Sequence, residues 1–370
     1  MKAVITHRTM LDRHKLIKTR VSKGSGSISF AYVADSPLGT VSVIDTKVNQ
    51  LIANIQANGL LTQAILSPNG QYGYILGAFP GRMTVIDTKD HSVIAQVLVG
   101  DVFFLAIPTT PMMITHDGHW IYVANQSSGN VTVIDTRDYR VVANVQVDNS
   151  PVTIAITPDD QFAYVVSGPM GSASSVNVIE TKTNQVISTI GIGMLAIAIR
   201  ISPDGRHAYI FNRGSNNVSV IEIKKNRVIA TVQVGDAPRF LEITANGQYV
   251  YVTNTSENTV SVIETKTNQV IATVEVGSGP FTLRITADDR YVYVANDEGT
   301  VSVIETNTNQ VISTVEVGTN PYDLRITADD RYVYVLNRGV NTISVIETKT
   351  NQVIATVDVG FAPTGIAITP

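Results

Sequence analysis

Apolar and polar residues alternate along most of this chain, and one alternating hexapeptide recurs eight times. Copies begin at Val41 (VSVIDT), Met83 (MTVIDT), Val131 (VTVIDT), Val176 (VNVIET), Val218 (VSVIEI), Val260 (VSVIET), Val301 (VSVIET) and Ile343 (ISVIET). Successive starts lie 42, 48, 45, 42, 42, 41 and 42 residues apart. A period in this range marks a repeat architecture. One unit, residues 280–318, holds the runs FTLRITADD (281–289), RYVYVAN (290–296), TVSVIET (300–306) and QVISTVEVG (310–318). All four are rich in β-branched and aromatic residues and bounded by Asn, Asp, Gly or Thr, which predicts four strands. The NTN between the last two (307–309) has short polar side chains that tolerate left-handed backbone. Four antiparallel strands per repeat predict one blade of a β-propeller.

The strand count predicts an all-β, eight-bladed β-propeller of four-stranded antiparallel blades. The first repeat starts at its second strand, ISFAYVAD (Ile28 to Asp35), and the chain ends on a lone first strand, TGIAITP (Thr364 to Pro370). The C-terminal strand is therefore expected to complete the N-terminal blade and close the ring. Residues 1–27 form a basic arm and linker, and 28–370 the propeller. GSGS (Gly24 to Ser27) lacks the Lys-Ser/Thr and helix of a phosphate cradle and reads as the linker.

YVAN (Tyr122 to Asn125), YVTN (Tyr251 to Asn254) and YVAN (Tyr293 to Asn296), each followed by TVSVI-type runs, resemble the YVTN family of β-propeller repeats over roughly residues 28–370. The resemblance implies surface-layer and cell-envelope proteins, with related propellers acting as lactonases, lyases and cofactor-dependent oxidoreductases. No motif of those enzymes maps onto this chain residue by residue. The count of eight also resembles the propeller domain of nitrite reductases carrying a haem of the d type.

The chain has no cysteine, which excludes disulfides, thiolate metal sites, cysteine nucleophiles and c-type haem attachment. The longest apolar stretch, GIGMLAIAI (Gly191 to Ile199), is too short to span a bilayer and falls where a first strand belongs. The N-terminus has no apolar secretion segment, so the default expectation is cytoplasmic, whereas the family resemblance suggests the cell envelope or secretion. Residues 1–24 carry seven Lys or Arg against Asp12, a net of +6, and the remainder has a net of −10. Such an arm could touch an anionic surface, fold back on the acidic propeller, or be a solvated terminus. The body has no basic patch with interleaved aromatics, so no nucleic-acid partner is expected from it.

First strands line a propeller's channel. Aligning the repeats places Ile154, Ile199, Leu241, Leu283 and Leu324 toward the core, and the next residue toward the axis. That axial position reads Ile65, Met113, Ala155, Arg200, Glu242, Arg284, Arg325 and Ala367. Two residues earlier come Phe240, Thr282 and Asp323, and Arg239, Phe281 and Tyr322 stand at the strand entrances. This one-sided cluster suits a small anionic ligand such as a carboxylate or phosphate. The competing reading is an internal ion-pair ladder, Arg200–Glu242–Arg284 and Arg325–Asp323, since buried charges are normally paired. Acid–base chemistry would fall to Glu242, Asp323 or Tyr322.

Two insertions interrupt the period, within Val102 to Met113 and SGPMGSAS (Ser167 to Ser174), and insertions in repeat proteins map to loops on one face, often the binding face. In HDGH, His116 and His119 could begin a metal site, though spacing shows no third ligand. His207 aligns with Gln161 and Gln248 and is expected on the surface. The eight acids of VI(D/E)T, from Asp45 to Glu347, are expected to serve turns rather than a site. The reading that follows is a binding scaffold whose channel face holds a small anionic ligand or a protein partner. Its competitors are an enzyme at the channel mouth, of lyase, lactonase or cofactor-dependent oxidoreductase type, and a structural envelope module. The residues identify no cofactor. The near-identical repeats at 251–360 are expected to carry less specific function than the irregular stretch 100–200.

Overall fold

The alternation along each repeat becomes four strands of graded burial. In blade 7 these are Pro280–Ile285, Tyr291–Asn296, Thr300–Glu305 and Gln310–Glu316, hydrogen-bonded antiparallel in that order. The two middle strands are buried on both faces because each blade is clasped between neighbours, whereas the outermost alternates and leaves Ile312 half exposed. The computed structural model describes residues 29–36, 38–102, 110–148, 150–168 and 172–370 of the chain. The whole arm and linker (1–27), with Ile28, Pro37 and Asn149, and the centres of both insertions (103–109 and 169–171), lie outside the described residues.

Eight four-stranded sheets form the ring. Apolar clusters run across the seams: Tyr251, Val260 and Val262 of blade 6 meet Leu283, Val292 and Ile304 of blade 7. The closure expected from the sequence is present. Pro363–Ile368 pairs antiparallel with Phe30–Asp35, Ala31 opposite Ile368 and Val33 opposite Ile366. Ser29 Oγ donates to the Thr369 carbonyl at 2.8 Å, and Thr369 Oγ1 accepts from the Phe30 amide at 2.7 Å. The apolar run at 191–199 is divided rather than a single first strand. Gly191–Met194 extends the outermost strand of blade 4, and Ala196–Ile201 opens blade 5. Among the described residues no helix is long and apolar enough to cross a membrane.

The recurrent residues have separable jobs. The Asn of YV(A/T)N ties the second strand to the third: Asn296 Nδ2 donates to Thr300 Oγ1 at 3.0 Å and to Ser302 Oγ at 2.9 Å. The preceding blade's terminal glycine lies against it, and a Cβ on Gly277 would come 2.5 Å from Asn296 Nδ2. The Tyr of the same motif is fully buried in all eight blades. Its phenol reaches the next blade and donates to the left-handed Asn of the TKTNQ-type turn, as in Tyr293 to Asn351 (2.9 Å) and Tyr334 to Asn49 (2.6 Å). The hexapeptide acids serve turns as expected: Asp45 Oδ1 accepts from the Lys47 amide and Glu264 from Thr267 Oγ1.

Candidate functional site

First strands begin at one mouth of the channel, here called the upper mouth, and run down its wall. The same end carries the connections between successive blades and the turns between second and third strands, so the described ends of both insertions belong to it. The wall is lopsided. Blades 1 and 4 contribute Gly365, Ala367, Thr153 and Ala155, while blades 5 to 8 contribute Arg200, Phe240, Glu242, Arg284, Asp323 and Arg325.

The lower tier joins the two pairings anticipated from the sequence into one ladder. Arg200 Nε lies 3.4 Å from Glu242 Oε1, and Arg284 Nη1 lies 3.7 Å from Glu242 Oε2. Arg284 Nη2 then reaches Asp323 Oδ1 at 3.2 Å, and Arg325 Nη1 the same oxygen at 2.7 Å. The Leu324 amide also donates to Asp323 at 2.9 Å. Phe240 lies between two guanidiniums, Arg200 at 5.0 Å and Arg284 at 4.7 Å from its ring centre. Asp323 is the most enclosed member, its side chain 8% exposed against 30% for Arg325. Burial pushes its carboxyl up to about 6, and Arg284 pulls against that rise. Burial also pulls Arg284 down from the ordinary arginine value, opposed by Asp323 and Glu242.

The upper tier is made by bulges. Pairing with the second strand jumps from Pro238 to Phe240, from Pro280 to Thr282 and from Pro321 to Asp323, so the skipped residues Arg239, Phe281 and Tyr322 are re-aimed at the mouth. The Arg239 guanidinium carbon lies over Phe281 at 3.6 Å from its ring centre, Phe281 meets Tyr322 at 5.0 Å between ring centres with a tilt of 43°, and Arg338 stands over Tyr322 at 5.0 Å. Burial lowers Arg239 to about 10; the charge of Arg213 lowers it further, and Asp297 opposes. Burial raises the Tyr322 phenol to about 12 against the pull of Arg338 and Arg239, so it stays protonated. Positive charge therefore exceeds negative in this arc.

Arg213 and Arg338 escaped the sequence reading. Each directly follows the Asn of its second strand (Asn212, Asn337), a turn slot that the fold delivers to the upper mouth. The other candidates disperse. His116 Nδ1 lies 2.7 Å from Asp160 Oδ1 and His119 Nδ1 3.0 Å from Asp117 Oδ2, both exposed at the opposite end of blade 3. Among the described residues no group of three His, Cys, Asp or Glu could hold a metal ion. His207 is not in the slot of Gln161 and Gln248. It opens its second strand opposite Glu222, where blades 4 and 6 have Phe162 and Tyr249, and is half-buried there. Of the acid–base candidates, Glu242 and Asp323 are both engaged by arginines. The arrangement suits holding an anion better than moving a proton.

A family model described as the cytochrome D1 heme domain matches residues 27–171 and 252–362, more than half of the chain. A second, described as a seven-bladed β-propeller lactonase, matches residues 143–269. No curated relative matches the sequence. Among solved structures the fold is similar to dihydro-heme d1 dehydrogenase NirN in complex with DHE, with a TM-score of 0.75 and 17% identity over 94% of this chain and 77% of that one. It is also similar to AztD of Citrobacter koseri, with a TM-score of 0.69 and 14% identity over 92% and 97% of the two chains. Hydrazine synthase of Kuenenia stuttgartiensis aligns with a TM-score of 0.59 and 20% identity over 72% and 90%. At these identities the likeness is one of fold.

Proposed function

Since the chain belongs to the family of the cytochrome D1 heme domain, we propose that it is a ligand-binding propeller whose upper mouth takes a small anionic ligand. The observation that carries this reading is the grouping of Arg213, Arg239 and Arg338 about the contacting rings of Phe281 and Tyr322, with Asp297 acting on Arg239. The ladder below is its floor, with both of its acids engaged by arginines. The same arc would take the carboxylates of an acidic protein partner. A cell-envelope setting, which the YVTN resemblance implies, belongs to this proposal.

The family name raises the question of haem. An iron porphyrin needs an axial donor on the wall, most often histidine or a thiolate. The chain has no cysteine, and the described histidines stand elsewhere: His91 at a blade seam, His116 and His119 in a turn at the far end, His207 opposite Glu222. Tyr322 keeps its proton, and Met113 packs against the apolar cluster of the blade 3–4 seam. Among the described residues the channel suits carboxylates but not an axially held iron. The enzyme reading is favoured by the dehydrogenase named among the similar structures; it requires a base that the paired acids do not supply.

The test is titration of the intact chain with phosphate, acetate and citrate, followed by calorimetry and by amide shifts. Binding of at least one probe, at least tenfold weaker in Arg239→Met and unchanged in the outer-rim Arg290→Met, is the expected result. Absence of binding, or equal loss in both variants, refutes the site.

A further inference from the structure

The buried tyrosines make a belt of eight links, of which six are closed, one is unclosed but filled, and one is replaced by a cleft. Six seams close with the phenol bonded to the left-handed turn residue of the next blade: Tyr122–Asn184, Tyr164–Asn226, Tyr251–Asn309, Tyr293–Asn351, Tyr334–Asn49, and Tyr32 with His91 Nδ1 at 2.9 Å. At a seventh, Tyr209 and Asn268 face each other without closing the bond. At the blade 2–3 seam the left-handed residue is Tyr139, whose φ is 59°. A tyrosine has no short acceptor to offer there, and Tyr139 packs on the seam's apolar cluster beside Ile114 and Tyr72.

The consequence is a cleft of about 390 Å³. Tyr74, only 1% exposed, lines it, and among the described residues its Oη has no hydrogen-bond partner. Burial keeps that phenol protonated far above neutrality. Unlike the enclosed Tyr209 hydroxyl, that of Tyr74 opens onto the cleft, where water or a ligand can accept from it. A smaller cleft, about 270 Å³, opens at the blade 1–2 seam, where His91 replaces the asparagine. There the phenol is satisfied; of these two clefts, the one at blades 2–3 holds a phenol without a protein partner among the described residues.

Its lining selects the ligand class. Arg137 is neutralised by Asp135 through a two-pronged contact at 2.6–3.2 Å. Asp117 accepts from Thr115 Oγ1 and stands beside His119. The lining leaves no uncompensated cation to attract an anion, and Asp117 repels one. Two half-buried tyrosine rings, Tyr72 and Tyr139, and the hydroxyl end of the buried Tyr74 are interleaved with the amide of Asn69 and these charged edges. Aromatic faces bordered by mixed donors and acceptors match a ring with C–H faces and hydroxyl edges, and the volume is that of a small-molecule site. We propose that the blade 2–3 seam, at the end opposite the anion site, binds a neutral pyranose sugar, with Tyr74 Oη donating to a sugar oxygen.

Saturation-transfer NMR on the intact chain, with methyl α-glucopyranoside, methyl β-galactopyranoside, N-acetylglucosamine and, as a neutral control, tert-butanol, tests the proposal. The expected result is transfer to at least one sugar and none to tert-butanol. Tyr74→Phe should weaken it at least tenfold, and Tyr139→Asn, which restores the belt bond, should abolish it and raise the melting temperature. Tyr251→Phe, which breaks a closed link elsewhere, should leave it intact. Transfer to none of the three sugars, or transfer that survives Tyr74→Phe, overturns the proposal. Should Tyr139→Asn fail to fold, the Tyr74→Phe comparison decides alone. Because the anion site is probed through Arg239, failure here leaves that reading untouched.

Discussion

Replacing Asp323 by Asn keeps the shape of the ladder and removes the charge at its centre. Asp323 holds Arg284 at 3.2 Å and Arg325 at 2.7 Å on two neighbouring blades. Without it Arg284 keeps one carboxylate, Glu242 at 3.7 Å, besides its bond to the Leu283 carbonyl, and Arg325 has no other salt-bridge carboxylate among the described residues. Removing one partner from a buried ion pair costs roughly 3–5 kcal/mol, because the remaining charge stays desolvated. Partial exposure of Arg325 places the expectation at the lower end, about 3 kcal/mol. With an unfolding entropy of about 2.1 cal/mol/K per residue over roughly 340 residues, or about 0.7 kcal/mol/K, the melting temperature should fall by about 4 °C. Replacing the whole group instead (Asp323→Leu, Arg284→Met, Arg325→Met) should come within about 1 kcal/mol of the wild type, since an apolar set of similar volume avoids the desolvation cost. Thermal unfolding followed by circular dichroism at pH 7.5 reads both. If Asp323→Asn melts like the wild type while anion binding is lost, the ladder is no structural floor and the two-tier reasoning is refuted.

Three further perturbations follow from the closure and from the belt. A chain ending at Ala362 loses Pro363–Ile368, including fully buried Ile366; it should lose more than about 5 kcal/mol, and a melting temperature equal to that of the full chain would exclude closure by this strand. Asp35 stands where most blades have Asn, and burial raises its carboxyl to about 6 despite the bond from Ser42. The folded state thus holds the proton more tightly than the unfolded one, and stability falls as pH rises from about 4 to about 6. Asp35→Asn should flatten that interval and gain on the order of 2 kcal/mol at pH 7, measured by denaturant titration at several pH values. His91 is shifted the other way, lowered by burial, so its contribution is present at neutral pH and lost as pH falls below about 6.5. His91→Asn should remove that acid sensitivity, and an unchanged slope between pH 5 and 7 would exclude His91 as its source.

Blade number, strand order and ring closure were legible because each follows from period-2 alternation and a fixed repeat, which local chemistry enforces. The axial residues were legible for the same reason: once Leu283 is assigned to the core, Arg284 must face the channel. Three things were not. The bulges that turn Arg239, Phe281 and Tyr322 toward the mouth depend on pairing with the second strand. Arg213 and Arg338 sit in turns whose nearness to the first strands is set only by ring geometry. The tyrosine belt joins residues about 60 positions apart across a seam, as in Tyr122 and Asn184. In sequence its acceptor looks like ordinary turn chemistry, so the exception at Tyr139 carries no signal until the partner of Tyr74 is known.

The charged cluster lies in the regular half of the ring, blades 5 to 8, although the irregular stretch 100–200 was expected to hold more of the specific function. Regularity is a property of what is packed. In each blade the second and third strands are clasped between neighbours, and nearly every position on them is buried at equivalent depth. The same Tyr, Val and Asn must therefore recur, or the seams would not match. The axial face of the first strand escapes this constraint, because its side chains meet those of neighbouring first strands at the channel, as in the ladder, rather than in the apolar seams. Glu242, Arg284 and Arg325 occupy one slot in three near-identical blades. A tightly repeated frame leaves that slot as the place where blades can differ without disturbing the ring. Specificity in such a propeller is therefore to be sought in the variable column of a regular repeat as much as in the loops that interrupt it.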